Sequence, residues 1–462
     1  MAQHQVNGHA CRMRAPLLLA GFVLFTCQPH DVGGAEAEPL RWVTDANGCK
    51  FLSPAPPEAP SFTITWTGQC LDGFVSGPGE VRVGSWLAYR GEFSQGRIVK
   101  GSAEKNGAVY EGSFLDNLPH GHGVSREPDG ATTKGTWARG VVDPTSVEHT
   151  WPNNTRYRGE IDPRTKLMHG KGVIEYADGS VYEGEFSQDQ LQGLGVMKYA
   201  SGEIRRGTFV AGQMEGKGSI LYSNHSRYEG ELRAGSPNGT GRMEFADGSS
   251  YEGEFVSGKY QGKGKLTYTG GGTYEGDFLA GETSGNGALH YADGSHYVGQ
   301  FLYGRRHGNG LLTRPTGQTY QGEWKGDVLS GKCNIAFGLR VYDGQCVDGK
   351  ASGPGRLEDK DLNLAYEGAF IHDQFHGKGS LRIGKLAYEG MFRGGAMEGP
   401  GTLTVGNMTV RGDFKAGVLA RGTITGNDGR TFEVDIEKGE IVEVLKDGSK
   451  RPIDELPADM AI

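Results

Sequence analysis

The sequence predicts an all-β chain: an extended, single-layer, twisted antiparallel sheet of about 16 β-hairpin repeats, each about 23 residues long. Three observations carry this. Glycine supplies 79 of 462 residues, about 47 more than its usual share of about 7 % would give. A short aromatic segment recurs in register with those glycines. Turn dipeptides such as Asp178-Gly179, Asp247-Gly248 and Asp293-Gly294 punctuate the copies. Glycine costs backbone entropy and packs no side chain, so a surplus of this size serves backbone geometry. It excludes a large helical protein. Collagen is excluded because glycine does not recur every third residue and prolines number only 19. An aromatic share of 10 % argues against general disorder.

The first element is a leader. Cys11-Arg12-Met13-Arg14 precedes an apolar run from Ala15 to Cys27, about 13 residues. A spanning helix needs about 20, so the run reads as a secretory signal. Ala35-Glu36-Ala37 offers a small-x-small cleavage site, giving a signal peptide over residues 1–37. The alternatives are an uncleaved N-terminal anchor, or lipidation at Cys27, where Leu24-Phe25-Thr26-Cys27 resembles a lipoprotein box loosely. Met13 competes with Met1 as the start. The expected location is outside the cytoplasm, in the periplasm or cell envelope.

Residues 38–65 form an N-terminal cap with Cys49, its prolines between Pro54 and Pro60 expected to cover the edge of the sheet. Four cysteines follow the leader: Cys49, Cys70, Cys333 and Cys346. An even count in an exported chain reads as disulfides, and sequence proximity suggests Cys49–Cys70 and Cys333–Cys346. No tight C-x₂-C pair supports zinc, and no metal or other cofactor is expected.

The array occupies residues 66–430. Tyr182-Glu183-Gly184-Glu185-Phe186 recurs from Tyr228, Tyr251, Tyr274, Tyr297, Tyr320, Tyr366 and Tyr388. Earlier copies start at Trp66, Tyr89, Tyr110 and Tyr157, and degenerate ones at Thr133, Arg205, Tyr342 and Val410. A Gly-x-Gly pair follows each aromatic segment, as at Gly262/Gly264 and Gly285/Gly287. Asp-Gly between β-prone runs signals a two-residue hairpin turn, because both central residues can take positive φ. Side chains alternate faces along a strand. The pairs Tyr182/Phe186, Tyr251/Phe255, Tyr274/Phe278 and Tyr297/Phe301 therefore share one face as an aromatic stripe, and the acids share the other. The central glycine leaves room for a ring from a neighbouring strand. Residues 431–462 read as a C-terminal hairpin cap and acidic tail.

This pattern resembles MORN repeats (membrane occupation and recognition nexus) from residue 66 to about 430. The stretch around Cys49, Cys70 and Gly77-Pro78-Gly79 is similar to the opening of exported bacterial MORN proteins. The resemblance implies the extended sheet but no single activity, since the family includes scaffolds, membrane tethers and accessory regions of enzymes.

Candidate chemistry is sparse. His120, His169, His307 and His376 precede Gly-x-Gly steps, but the nearest stand two or three repeats apart, too far to share one ion at about 10 Å per repeat. Gly258 to Gly264 lacks the spacing of a phosphate-binding loop. Acidic pairs such as Glu183/Glu185 recur and read as a solvated face. Trp137, Trp151 and Trp324 read as sheet packing. No catalytic residue is expected. The net charge is −8, or near −9 without residues 1–35, which excludes a broad basic footprint for nucleic acid. The expected role is a non-enzymatic envelope scaffold that binds proteins. The rivals are a phospholipid-binding tether and a polysaccharide or peptidoglycan module using the aromatic stripe. An open sheet also offers homodimerisation.

Overall fold

The computed structural model describes residues 40–54 and 63–457. The leader of residues 1–37, Cys27 and the choice of start lie outside the described residues, as do 55–62 of the N-terminal cap and the end of the acidic tail. Every regular element described is a β-strand, 39 in all among the described residues. They form two compact units: Met1–Ala177 with Glu185–Gln190, and Asp178–Gly184 with Leu191–Ile462.

One repeat of the second unit shows how sequence becomes structure. Strand Ser250–Val256 carries Tyr251, Gly253 and Phe255 on one face. It turns through Ser257 and Gly258, whose φ angles are 49° and 79°. Strand Lys259–Thr267 returns antiparallel, with Leu266 opposite Tyr251 and Gly264 opposite Gly253. A bulge then shifts the register between Gly253 and Glu254. The chain enters the next repeat through Ala246-Asp247-Gly248-type loops, closed by Gly248 N–H donating to Phe245 C=O at 3.0 Å.

This corrects the turn assignment. The Asp-Gly pairs do not make two-residue turns with two positive φ angles. Gly248 alone is positive, at 85°, and the Asp247 carboxylate accepts the Ser249 N–H at 2.9 Å. That is a three-residue loop with a bulge-forming glycine. The turns with two positive φ angles sit at the other end of each hairpin, as at Ser257-Gly258, Ala280-Gly281 and Tyr303-Gly304. Each of these docks on the repeat before it: Gly258 N–H donates to Pro237 C=O at 2.9 Å and Gly281 N–H to Tyr260 C=O at 2.9 Å.

The register places the glycines opposite one another across strand after strand. In the second unit Gly241, Gly253, Gly264, Gly276, Gly287 and Gly299 pair in succession. This ladder continues through Gly310 and Gly322, is interrupted once by Cys333, and resumes at Gly344. The first unit has its own ladder through Gly79, Gly91, Gly101, Gly112 and Gly123.

Within the expected cap of residues 38–65, Ile64 and Thr65 do pair at the sheet edge, while the N-terminal hairpin, Leu40–Thr44 with Lys50–Pro54, meets it only where Lys50 stands opposite Phe74. The edge pairing is made by the short strands Ile64–Trp66 and Gln69–Leu71. The hairpin instead crosses the tight turns. Lys50 N–H donates to Gly73 C=O at 2.8 Å and Leu52 N–H to Gly96 C=O at 3.0 Å. Buried Asn117 accepts the Ile98 N–H at 2.6 Å and donates to Leu52 C=O. Phe51 packs on the rings of Tyr89 and Phe93. The crossing strand thereby supplies hydrogen-bond donors to the Gly73 and Gly96 carbonyls of two tight turns. At the other end, Thr431–Asp435 and Glu440–Val444 form the C-terminal hairpin, and Lys450–Pro452 adds a short strand that the acidic-tail reading did not anticipate.

Candidate interaction surface

The aromatic face is sealed. Tyr251, Tyr274 and Tyr297 are 0 % exposed, and Phe186, Phe255, Phe278 and Phe301 are buried with them. Tyr182 is buried likewise, its ring 5.1 Å from that of Phe209 and edge-on to it. Tyr251 and Tyr274 each meet the phenylalanine of their own strand and that of the following repeat, and Tyr297 meets Phe301 and Trp324. Tyr251 stands 5.0 Å from Phe255 and 4.9 Å from Phe278, both edge-on. The ring over the central glycine of the aromatic segment comes from that glycine's own strand, not from a neighbour as expected, and it reaches on over the paired glycine of the next strand. A Cβ on Gly253 would lie 2.6 Å from the Tyr251 hydroxyl, and one on Gly264 would lie 2.4 Å from it. Both glycines exist so that the ring can lie flat across the ladder. Its hydroxyl then donates to Glu254 C=O at 3.0 Å, and the pattern repeats from Tyr274 to Asp277 and from Tyr297 to Gln300. Burial pushes the hydroxyls of Tyr228, Tyr251 and Tyr297 up to about 12. With their faces covered, these rings offer no stacking surface to a sugar.

Degenerate copies fill the same space differently. Where Arg205 replaces tyrosine, the Met214 methyl lies over Gly207 and Gly218. Trp66 covers Gly68 and Gly79. Cys333 takes a ladder position and Cys346 a phenylalanine position, and they are joined as a disulfide, with Cα atoms 5.9 Å apart. Tyr320 there is not among the atoms nearest Gly322. Cys49–Cys70 joins the N-terminal hairpin to the edge strand.

The opposite face carries the charges, and its two acids per repeat differ in role. The second acid is not merely solvated. Glu254 accepts the Lys263 N–H at 3.1 Å and Asp277 the Asn286 N–H at 2.9 Å, each fixing the bulge at its Gly-x-Gly step. Lys263 Nζ also meets Asp277 at 2.6 Å, and together these contacts hold the Asp277 carboxyl below its ordinary range. The first acid stays exposed, in a row that runs Glu229, Arg242, Glu252, Lys265, Glu275 on successive strands. The row then turns apolar at Ala288, Val298 and Leu311. Between the two rows of side chains lies an open groove floored by ladder glycines from Gly207 to Gly299.

His120, His307 and His376 sit at bulges of separate, non-adjacent repeats, opposite Ser113, Gln300 and Ala369. Among the described residues no three His, Cys, Asp or Glu side chains converge to hold a metal. The row of residues preceding each tyrosine escaped sequence reading; there His290 and His296 stack with ring centroids 6.0 Å apart. Trp324 is buried, and its indole donates to Gly310 C=O at 3.1 Å. Among the described residues no helix is long and apolar enough to cross a membrane.

The family comparison agrees with this repeat geometry. The MORN repeat family matches residues 110–132, 166–181, 182–204, 206–227, 228–250, 251–273, 274–296, 297–319, 320–334, 366–384 and 388–407. Alsin of Rattus norvegicus is 30 % identical over 177 residues, which is 34 % of this chain and 10 % of Alsin. Alsin of Homo sapiens is 35 % identical over 91 residues, 19 % of this chain and 5 % of Alsin. The chain thus spans about a tenth or less of these relatives. Among solved structures, the TCP10 domain of Danio rerio CPAP in complex with a peptide of Danio rerio STIL aligns over 48 % of this chain and 97 % of that one, with 15 % identity and a TM-score of 0.29. A streptogramin B lyase aligns over 76 % of this chain and 89 % of its own, with 10 % identity and a TM-score of 0.11.

Proposed function

This is a MORN-repeat protein, and from that premise we propose that it is a non-enzymatic scaffold or spacer of the cell envelope, binding protein partners along the charged face of its array. The observation that carries the reading is the division of labour between the faces. The repeats from Gly207 to Gly299 bury their large aromatic groups on one face and leave on the other a glycine-floored groove that carries exposed charges over most of its length. A surface repeated this way offers many similar shallow sites and suits multivalent binding. Catalysis needs a singular, preorganised constellation of groups, and repetition spreads the same groups evenly along the chain. Envelope localisation rests on the basic and apolar leader and on four cysteines, Cys49, Cys70, Cys333 and Cys346.

Crosslinking pull-down with the tagged full chain in its native cells tests the proposal. Recovery of defined envelope proteins, lost on competition with untagged chain, is the expected result. Saturable flotation with phospholipid vesicles, or pelleting with peptidoglycan, without any protein crosslink would overturn it.

A further inference from the structure

We propose that the groove between Glu229 and Glu275 takes an extended polyproline-II segment bearing a basic residue at every third position; this deepens the protein-binding reading and rests on it. The argument starts with the floor. The side-chain positions of Gly230, Gly241, Gly253, Gly264 and Gly276 point to the aromatic face, so only strand backbone lies between the two rows of charged side chains and a ligand can approach it there.

The walls supply the charge pattern. Glu229, Glu252 and Glu275 are exposed and stand on alternate strands. The side chains of Glu252 and Glu275 enter no ion pair or hydrogen bond among the described residues. Glu229 meets only the exposed Arg227, at 3.2 Å. Arg242 and Lys265 lie between the acids, and Arg242 is drawn aside by Glu244 at 2.8 Å. Exposed carboxylates at a fixed period, with Glu252 and Glu275 in no close ion pair although Arg242 and Lys265 stand opposite them in register, suit a cationic partner with the same period.

That period selects the conformation. Alternate strands are about 9.6 Å apart. Three residues of polyproline II advance about 9.3 Å. A β-strand returns a side chain to one face about every 6.7 Å, and two turns of α-helix advance about 10.5 Å. From Glu229 to Glu275, about 19.2 Å, a polyproline-II chain falls about 0.6 Å short. A helix overshoots by about 1.8 Å, and a strand misses the middle acid. A polyproline-II chain also has no internal hydrogen bonds, and its bare carbonyls suit donors such as Lys265 and Arg242 between the acids. The apolar end of the row at Ala288 and Val298 suits proline rings.

The test is fluorescence anisotropy with the full chain and a labelled peptide of three Pro-Pro-Arg triplets. Two controls carry the same charge: three Gly-Gly-Arg triplets, and a proline peptide with its arginines contiguous. The triplet proline peptide should bind at least about tenfold more tightly than either control, and more weakly as salt rises. The triple variant Glu229→Gln, Glu252→Gln, Glu275→Gln should lose at least about tenfold, with unchanged circular dichroism. Equal binding of the controls, no binding of the triplet peptide, or an unaffected triple variant would overturn the inference. If the triple variant still crosslinks the same envelope proteins, only the polyproline-II inference falls. If no protein crosslinks to the parent chain, the protein-binding reading falls with it.

Discussion

Replacing Gly264 by alanine should destabilise the array, against the ordinary trend. In a strand interior alanine is favoured over glycine by about 0.5–1 kcal/mol. At Gly264 the added Cβ would stand 2.4 Å from the Tyr251 hydroxyl oxygen and 2.6 Å from Cε2 and Cζ. The ring has nowhere to go. It is fully buried, stacked on Tyr260 at 3.7 Å and flanked edge-on by Phe255 and Phe278. Overpacking of this kind costs about 1–3 kcal/mol, so the net loss should be about 1–2 kcal/mol. In a Tyr251→Ala background the Cβ has space, and Gly264→Ala should become neutral or mildly stabilising, a coupling of about 2 kcal/mol. Urea unfolding of the four chains, fitted with a nearest-neighbour repeat scheme, gives the numbers. The reasoning is refuted if Gly264→Ala is no less stable than the parent, or if it costs the same in both backgrounds.

Three further outcomes follow from the same geometry. Ala280 sits at φ 54° with its turn partner Gly281, a conformation that costs a non-glycine residue roughly 1 kcal/mol and that asparagine tolerates better; Ala280→Asn should raise the thermal midpoint, and a drop would contradict the turn assignment. Burial pushes the hydroxyls of Tyr251, Tyr260, Tyr297, Tyr342 and Tyr366 up to about 12. The unfolded chain releases these protons near 10, so stability is intact below pH 10 and falls as pH rises toward 12. Absorbance at alkaline pH should show these phenols ionising together with loss of structure. Finally, Cys346→Ala should cost about 2–4 kcal/mol through loss of the Cys333 bridge, whereas Cys333→Gly combined with Cys346→Phe should recover most of it by restoring the repeat, as read by denaturant midpoint; equal losses would sink the idea that the bridge stands in for a ring.

Much of the fold was legible because its cause is periodic. The spacing of Tyr182, Tyr228, Tyr251, Tyr274 and Tyr297 dictates one hairpin per repeat, and alternation along each strand dictates that Tyr251 and Phe255 share a face. What escaped depends on register and on φ, which spacing alone leaves open. Asp247-Gly248 looks like a two-residue turn, yet the side chain of Asp247 closes a longer loop. Ala280-Gly281 does not look like a turn, yet the hairpin makes it one. The glycine ladder needed the pairing of Gly253 with both Gly241 and Gly264, a relation between strands rather than along one. Glu252 and Glu254 are identical in sequence terms, and only the bulge separates a free acid from one fixed to the Lys263 N–H. The anchoring role of Asn117 arises from a contact 65 residues away in sequence, beyond the reach of any local pattern.

The central claim is that partners dock in the charged, glycine-floored groove. A photo-crosslinking amino acid placed at Val298, which lines the groove, can be compared with one at Tyr303, an exposed residue of a tight turn. In the full chain within its native cells, Val298 should yield discrete protein adducts and Tyr303 none. Adducts of equal yield from both positions, or from Tyr303 alone, would contradict the account.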